Sequence, residues 1–195
     1  MKRYEIFLVT LCIMSGLTCV AHAKTWTVDD DKSHIDFSGT QGNDRFYGGF
    51  KHFHIDIHFD PDHPETGKIM ATIDMTSAFA GSPERDAALP QADWFNTKQF
   101  AQAQFVSTGI QWDRNPTTPT LRQNIGCYKI IGNLTMKGVT KPVIMPFCIA
   151  PERDYMHAKG VVTLMRNDFD VGKGQWAAPS FIKYEVRVMI DITAR

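Results

Sequence analysis

The chain predicts an all-β fold of about eight antiparallel strands with one short helical insert. Three observations carry that reading. Apolar and polar residues alternate at a period of two in segment after segment, no segment sustains a helical period, and two β-prone arms meet at the polar turn Lys137-Gly138. A strand with one apolar and one wet face must bury the apolar one. A large one-sided sheet does so by closing as a barrel or a sandwich.

The first residues read as a targeting signal. Lys2 and Arg3 precede an apolar run from Ile6 to Val20, and Ala21-His22-Ala23 has the small-x-small form of a cleavage site. The run is short for a membrane span. The expectation is a signal peptide over residues 1–23, then one exported domain over residues 24–195. Cys19 raises a lipid-anchored alternative, but Thr18 stands where such a site prefers a smaller residue.

The strands follow in order. Ser33 to Thr40 places Ile35 and Phe37 on one face. In Phe50 to Asp60, Phe53, Ile55, Ile57 and Phe59 alternate with His52, His54, Asp56, His58 and Asp60, and Pro61 and Pro64 end the run. Lys68 to Ser77 carries Ile69, Ala71, Ile73 and Met75 on one side. The insert comes next, from Ser82 to Gln102. Ser82 is a good N-cap, Pro83 suits the first helical position, Glu84 sits at the positive helix end, and Pro90 stops the helix. Further strands are expected at Ala103–Trp112, Leu121–Met136, Pro142–Ala150, Met156–Arg166 and Ile182–Thr193.

Composition narrows the function. Acidic and basic residues balance at 21 each, so no charge excess points to nucleic acid or an anionic membrane surface. Beyond the signal only Cys127 and Cys148 remain, at similar distances on either side of the Lys137-Gly138 turn. In an oxidising compartment they suit a cross-strand disulfide; the alternative is two buried thiols.

No Gly-x-Ser-x-Gly, His-Glu-x-x-His, phosphate-binding loop or paired-Cys knuckle is present, so the chain is read as a non-enzyme. Asp86 and His34 are the only faint candidates for a base in a lipid-modifying enzyme. His52, His54, Asp56 and His58 share a strand face, a spacing that could offer two imidazoles to a metal or simply a solvated face. Asn133-Leu134-Thr135 matches a glycosylation pattern and is read as unmodified hairpin. Arg85, Asp86 and Asp93 among Leu89, Trp94, Phe95 and Phe100 read either as a surface helix or as a polar rim over an apolar cavity. Aromatics and glycines cluster again at 46–50 and 169–176. For each aromatic taken singly, core is the simpler reading.

Taken together these residues resemble the YceI-like family of bacterial periplasmic polyisoprenoid-binding proteins. The resemblance rests on Ser33-His34-Ile35-Asp36-Phe37, Gly49-Phe50, Glu84 to Leu89, Asp93 to Asn96, Ala103 to Thr108, Gly132 to Val143, and Arg166 with Phe169 to Gly172. It implies a periplasmic, eight-stranded, lipocalin-like antiparallel barrel that holds a long isoprenoid, such as a polyprenyl lipid or an isoprenoid quinone like ubiquinone, without catalysis. It assigns Arg85, Asp86 and Asp93 to the polar end, and Phe37, Phe50, Leu89, Trp94, Phe95, Phe169 and Trp176 to the apolar path. Asp93-Trp94-Phe95 and Gly174 to Ala177 resemble a subgroup associated with membrane b-type cytochromes, which would then be a partner. A homodimer through an outer face stays open. Cys127 and Cys148 depart from the general family pattern.

Overall fold

The computed structural model describes residues 24–116, 126–152 and 155–195. The signal-peptide expectation, Cys19 and the first five residues of the strand expected from Leu121 lie outside the described residues.

The strands are β1 (Thr25–Trp26), β2 (His34–Gln41), β3 (Asp44–Phe50), β4 (Phe53–His58), β5 (Lys68–Asp74), β6 (Ala78–Phe79), β7 (Gln102–Trp112), β8 (Gly126–Met136), β9 (Val139–Glu152), β10 (Tyr155–Met165) and β11 (Glu185–Ala194). They form one curled antiparallel sheet in the order β1-β4-β5-β7-β8-β9-β10-β11-β2-β3-β6. The strand count is therefore eleven among the described residues and not the expected eight. The additions are β1, β3 and β6. Two of these are two residues long, below the reach of any periodicity argument. The third, β3, lacks the signal because Gly48 and Gly49 interrupt it. Those glycines are required there: a Cβ on Gly48 would stand 2.1 Å from the Phe79 carbonyl oxygen and 2.6 Å from the Phe37 ring.

Two hairpins set the register. Gln41 pairs with Asp44 across Gly42-Asn43, with Gly42 at φ +59°. Met136 pairs with Val139 across Lys137-Gly138, whose φ values of +51° and +79° are both left-handed. That turn matches the right-handed twist of its arms. Within this pair Cys127 faces Cys148, and the two form a disulfide. The closed loop spans 21 residues, which on the chain-entropy model contributes about 3 kcal/mol. Replacing both cysteines by alanine should lower urea-unfolding stability by about that amount; an unchanged midpoint would show that the bond constrains nothing the sheet does not already hold.

The segment that follows β1, at one margin of the sheet, runs across to the end of β11. Just past β1, Thr27 N–H donates to the Arg195 carbonyl at 2.8 Å, Arg195 N–H returns the bond at 3.0 Å, and Asp29 N–H donates to Thr193 at 2.9 Å. The same segment is held to the β4 side: Thr25 and Trp26 pair with His58 and Ile57. At the other margin Lys51 N–H donates to the Ser77 carbonyl.

The insert carries the one α-helix among the described residues, α1 (Pro83–Ala88). Ser82 caps it by accepting from Arg85 N–H. The chain then folds tightly back, with Phe95 N–H on the Leu89 carbonyl and Asn96 N–H on the Gln91 carbonyl. No helix among the described residues is long and apolar enough to cross a membrane.

Candidate functional site

Because each strand turns its apolar side inward, the concave face of the sheet encloses an elongated cavity with two lobes of ≈ 180 Å³ each. An apolar cavity of about 150 Å³ already accepts a benzene-sized guest. The lobes share Ile35, Ile73, Leu134, Leu164 and Val188 as a common aliphatic waist. The far lobe is apolar throughout, with Trp26, Phe59 and Phe147 at its wall. Its one indole is satisfied by backbone, since Trp26 Nε1 donates to the Phe59 carbonyl at 2.8 Å.

The near lobe lies under the insert. Among the expected site residues, Phe37, Phe50, Arg85, Leu89, Trp94 and Phe95 line it. The Phe50 ring bridges Phe37 and Phe95, at centroid distances of 5.6 and 6.2 Å. Asp86, Asp93, Phe169 and Trp176 line neither lobe and brace the roof instead. The Asp86 carboxylate accepts from Ala80 N–H while Arg85 Nε donates to the Ala80 carbonyl at 2.7 Å, so α1 is clamped to one buried residue. The Asp93 carbonyl accepts from Gly172 and Lys173 N–H at 2.7 and 2.9 Å, which docks the 166–176 segment on the insert. Phe169 is buried in the core, and the Trp176 ring lies 5.8 Å from Trp94.

Arg166, Lys183 and Phe46 line the near lobe and were not among the expected site residues. Arg166 is only 4 % exposed. Its Nε donates to Lys183 O at 3.1 Å, Nη1 to Val171 O at 2.9 Å and Gly172 O at 3.0 Å, and Nη2 to Trp176 O at 2.7 Å and Ile182 O at 2.8 Å. All five donors of the guanidinium are consumed by backbone. Burial lowers its pKa, offset in part by Tyr184. The sequence signal for this residue is its parity with Val162 and Leu164, which line the cavity from β10; Arg166 follows directly on the strand's end at Met165. Gly172 leaves it room, for a Cβ there would meet Arg166 Nη1 at 2.1 Å.

The lining surface of the near lobe is apolar, and the cationic residues on its wall present their carbon stems to it. Arg85, Arg166 and Lys183 contribute to its wall and no Asp or Glu does. The Arg85 guanidinium lies 5.4 Å from the Phe46 ring centroid, and that of Arg166 lies 5.9 Å from the Trp94 centroid. The Trp94 Nε1–H is buried without a hydrogen-bond partner, the sole such side-chain atom among the described residues. A buried orphan donor costs about 1–3 kcal/mol.

The alternative sites are not assembled. His54 Nε2 faces Asp56 at 3.1 Å, His58 Nδ1 faces Thr25 at 2.9 Å, and His52 Nδ1 lies 3.8 Å from Asp74. Among the described residues no group of three or more His, Cys, Asp or Glu is placed to hold a metal ion. Of the two candidate bases, His34 is exposed and lines neither lobe, and Asp86 is engaged at Ala80.

The YceI-like domain matches residues 26–194. The chain is 37 % identical over 99 residues to protein YceI of Escherichia coli O157:H7, a match covering 51 % of this chain and 46 % of that protein. The matched stretch thus spans about half the length of the curated relatives of this kind. Among solved structures, BcnA of Burkholderia cenocepacia superposes with a TM-score of 0.78 at 30 % identity, over 87 % of this chain and 100 % of that one. A polyisoprenoid binding domain from Saccharophagus degradans, implicated in plant cell wall breakdown, superposes with a TM-score of 0.65 over 89 % of this chain and 99 % of that one. At 12 % identity that second likeness speaks to the fold alone.

Proposed function

The chain belongs to the YceI-like family, and from that premise we propose that it is a non-catalytic carrier holding one long isoprenoid, a polyprenyl lipid or an isoprenoid quinone, along both lobes of a barrel-shaped sheet. The observation that carries the reading is the two-lobed cavity with a continuous aliphatic waist. Each CH₂ moved from water into it contributes about 0.8 kcal/mol, so a prenyl tail can bind tightly with few polar contacts. The same fold serves as a polyisoprenoid binding domain in Saccharophagus degradans, so the architecture is compatible with that ligand class. We place the carrier in the periplasm on the strength of its signal-like first residues and its disulfide. A membrane b-type cytochrome as quinone-using partner, and a homodimer through an outer face, belong to the same proposal.

Native mass spectrometry after gentle purification tests it. A co-purifying lipid, or stoichiometric uptake of a long-chain quinone returned chemically unaltered, is the expected result. No retained lipid together with no quinone uptake would overturn the reading. A ligand recovered in altered form would convert it to an enzyme.

A further inference from the structure

We propose that the segment from Lys173 to Lys183 is a bilayer-docking loop, which seats Trp176 and Phe181 in the interface of a phospholipid membrane while the lysines around it meet anionic head groups. This surface lies on the outside of the roof, and its role is independent of what the cavity holds.

Between those two lysines the chain carries no charge from Gly174 to Ile182. Residues 177–181 are all exposed, and Phe181 stands 49 % open to water. The loop is pinned by its backbone while these side chains stay in solvent. Arg166 Nη2 donates to the Trp176 carbonyl at 2.7 Å, the Tyr184 hydroxyl to the Ala177 carbonyl at 3.0 Å, and Gly42 N–H to the Phe181 carbonyl at 2.7 Å. A loop held in one shape has little ordering cost left when it meets a partner.

That partner is a bilayer for two reasons. The Phe181 ring lies 5.9 Å from Trp176, and Trp176 lies 5.8 Å from Trp94, so a file of three rings runs from water to the wall of the near lobe. An exposed apolar path continuous with an apolar cavity matches a lipid phase, and Trp with lysines at its flanks is the composition of a membrane interface. The second reason is charge. The chain as a whole is balanced, yet lysines gather at this corner. Lys173 Nζ meets the Asp170 carboxylate at 2.8 Å, and Lys137 Nζ donates to the Asp170 carbonyl at 2.8 Å. The hydrogen bond from Lys173, helped by the charges of Lys173, Lys137 and Lys141, holds the Asp170 carboxyl below its ordinary value against some desolvation. Lys137, Lys141, Lys173 and Lys183 outnumber Asp93, Asp168 and Asp170, and the surplus favours anionic head groups.

The test is co-sedimentation of the chain, as recovered after export, with vesicles of phosphatidylcholine alone and of phosphatidylcholine and phosphatidylglycerol in equal parts. Wild type should bind the mixed vesicles, and the neutral ones more weakly. Phe181→Ser should lose about tenfold on both. Ala178→Asp, at an exposed position, should lose about tenfold as well, because it forces a carboxylate into the interface. Lys141→Gln should lose about fivefold on the mixed vesicles only. Ile144→Ser, at an apolar position 57 % exposed elsewhere on the sheet, should bind like wild type. No binding of wild type to either vesicle overturns the proposal and leaves the loop to a protein partner. Undiminished binding by both Phe181→Ser and Ala178→Asp, or an equal loss in Ile144→Ser, overturns the role of the loop. An unchanged Lys141→Gln overturns the role of the lysines. Uptake of a long-chain quinone from detergent solution by wild type, measured in parallel, separates the two readings: its absence overturns the carrier and leaves the docking loop standing.

Discussion

Replacing Arg166 by methionine is expected to remove most or all of the protein's stability. The substitution keeps a long apolar stem but withdraws every bond to the Lys183, Val171, Gly172, Trp176 and Ile182 carbonyls. A buried acceptor left unsatisfied costs about 1–3 kcal/mol. Five of them together reach the total stability of an ordinary domain, about 5–15 kcal/mol. Water entering the gap recovers some of that, so a loss on the order of 5 kcal/mol is expected. Arg166→Lys should fare little better, since three donors on a compact ammonium cannot reach carbonyls spread around a planar fork. Urea denaturation of the soluble fraction measures both. A methionine variant within about 1 kcal/mol of wild type would mean the network holds nothing that matters.

The second large effect concerns binding. Leu134 lines both lobes at the waist, and Leu134→Trp fills the space between them. Affinity for a long prenyl tail should fall by about a hundredfold or more, because excluding even four methylenes forfeits roughly 3 kcal/mol. A short guest that needs one lobe, such as geraniol, should bind as before. The thermal melt should hardly move, since the added ring enters open space rather than a packed core. Undiminished binding of the long tail would show that the two lobes are not used as one channel.

The strands that were legible in the sequence are those whose alternation runs long enough to count. The face of Ile55 and Ile57 against His54 and Asp56 is the clearest, and the structure turns the former inward and the latter outward. The Lys137-Gly138 turn was equally plain, because a short glycine-containing loop joins two β-prone arms, and the structure places both residues in the left-handed region that such a tight turn needs. What escaped was set by tertiary contact. Gly48 and Gly49 sit in a strand because Phe37 and Phe79 leave no room for a side chain, and a propensity argument reads such glycines as a break. The insert's helix was visible in Ser82 and Pro83, but not that Asp86 spends its carboxylate on Ala80 or that Asp93 holds the 166–176 segment through its carbonyl. Alternation says which way a side chain points. It does not say whether the neighbour it meets is a cavity, a backbone amide or another ring: Trp94 lines the near lobe and Trp176 does not.

The hydrogen bonds joining the segment after β1 to the end of β11 also bear on how the chain matures. Ser33 and Thr193, in that seam, bond to each other across 160 residues of sequence. Contacts of such separation are the slowest to form, because nearly the whole chain must be ordered before they add stability. Synthesis delivers Trp26 among the first of these residues and Ala194 among the last. Until the final strand emerges, the opening segment has no second edge to zip against, and the greasy interior stays unsealed. A chain stalled or clipped before Glu185 would therefore remain a chaperone client, whereas release of β11 would act as the latch that commits the molecule to its native state.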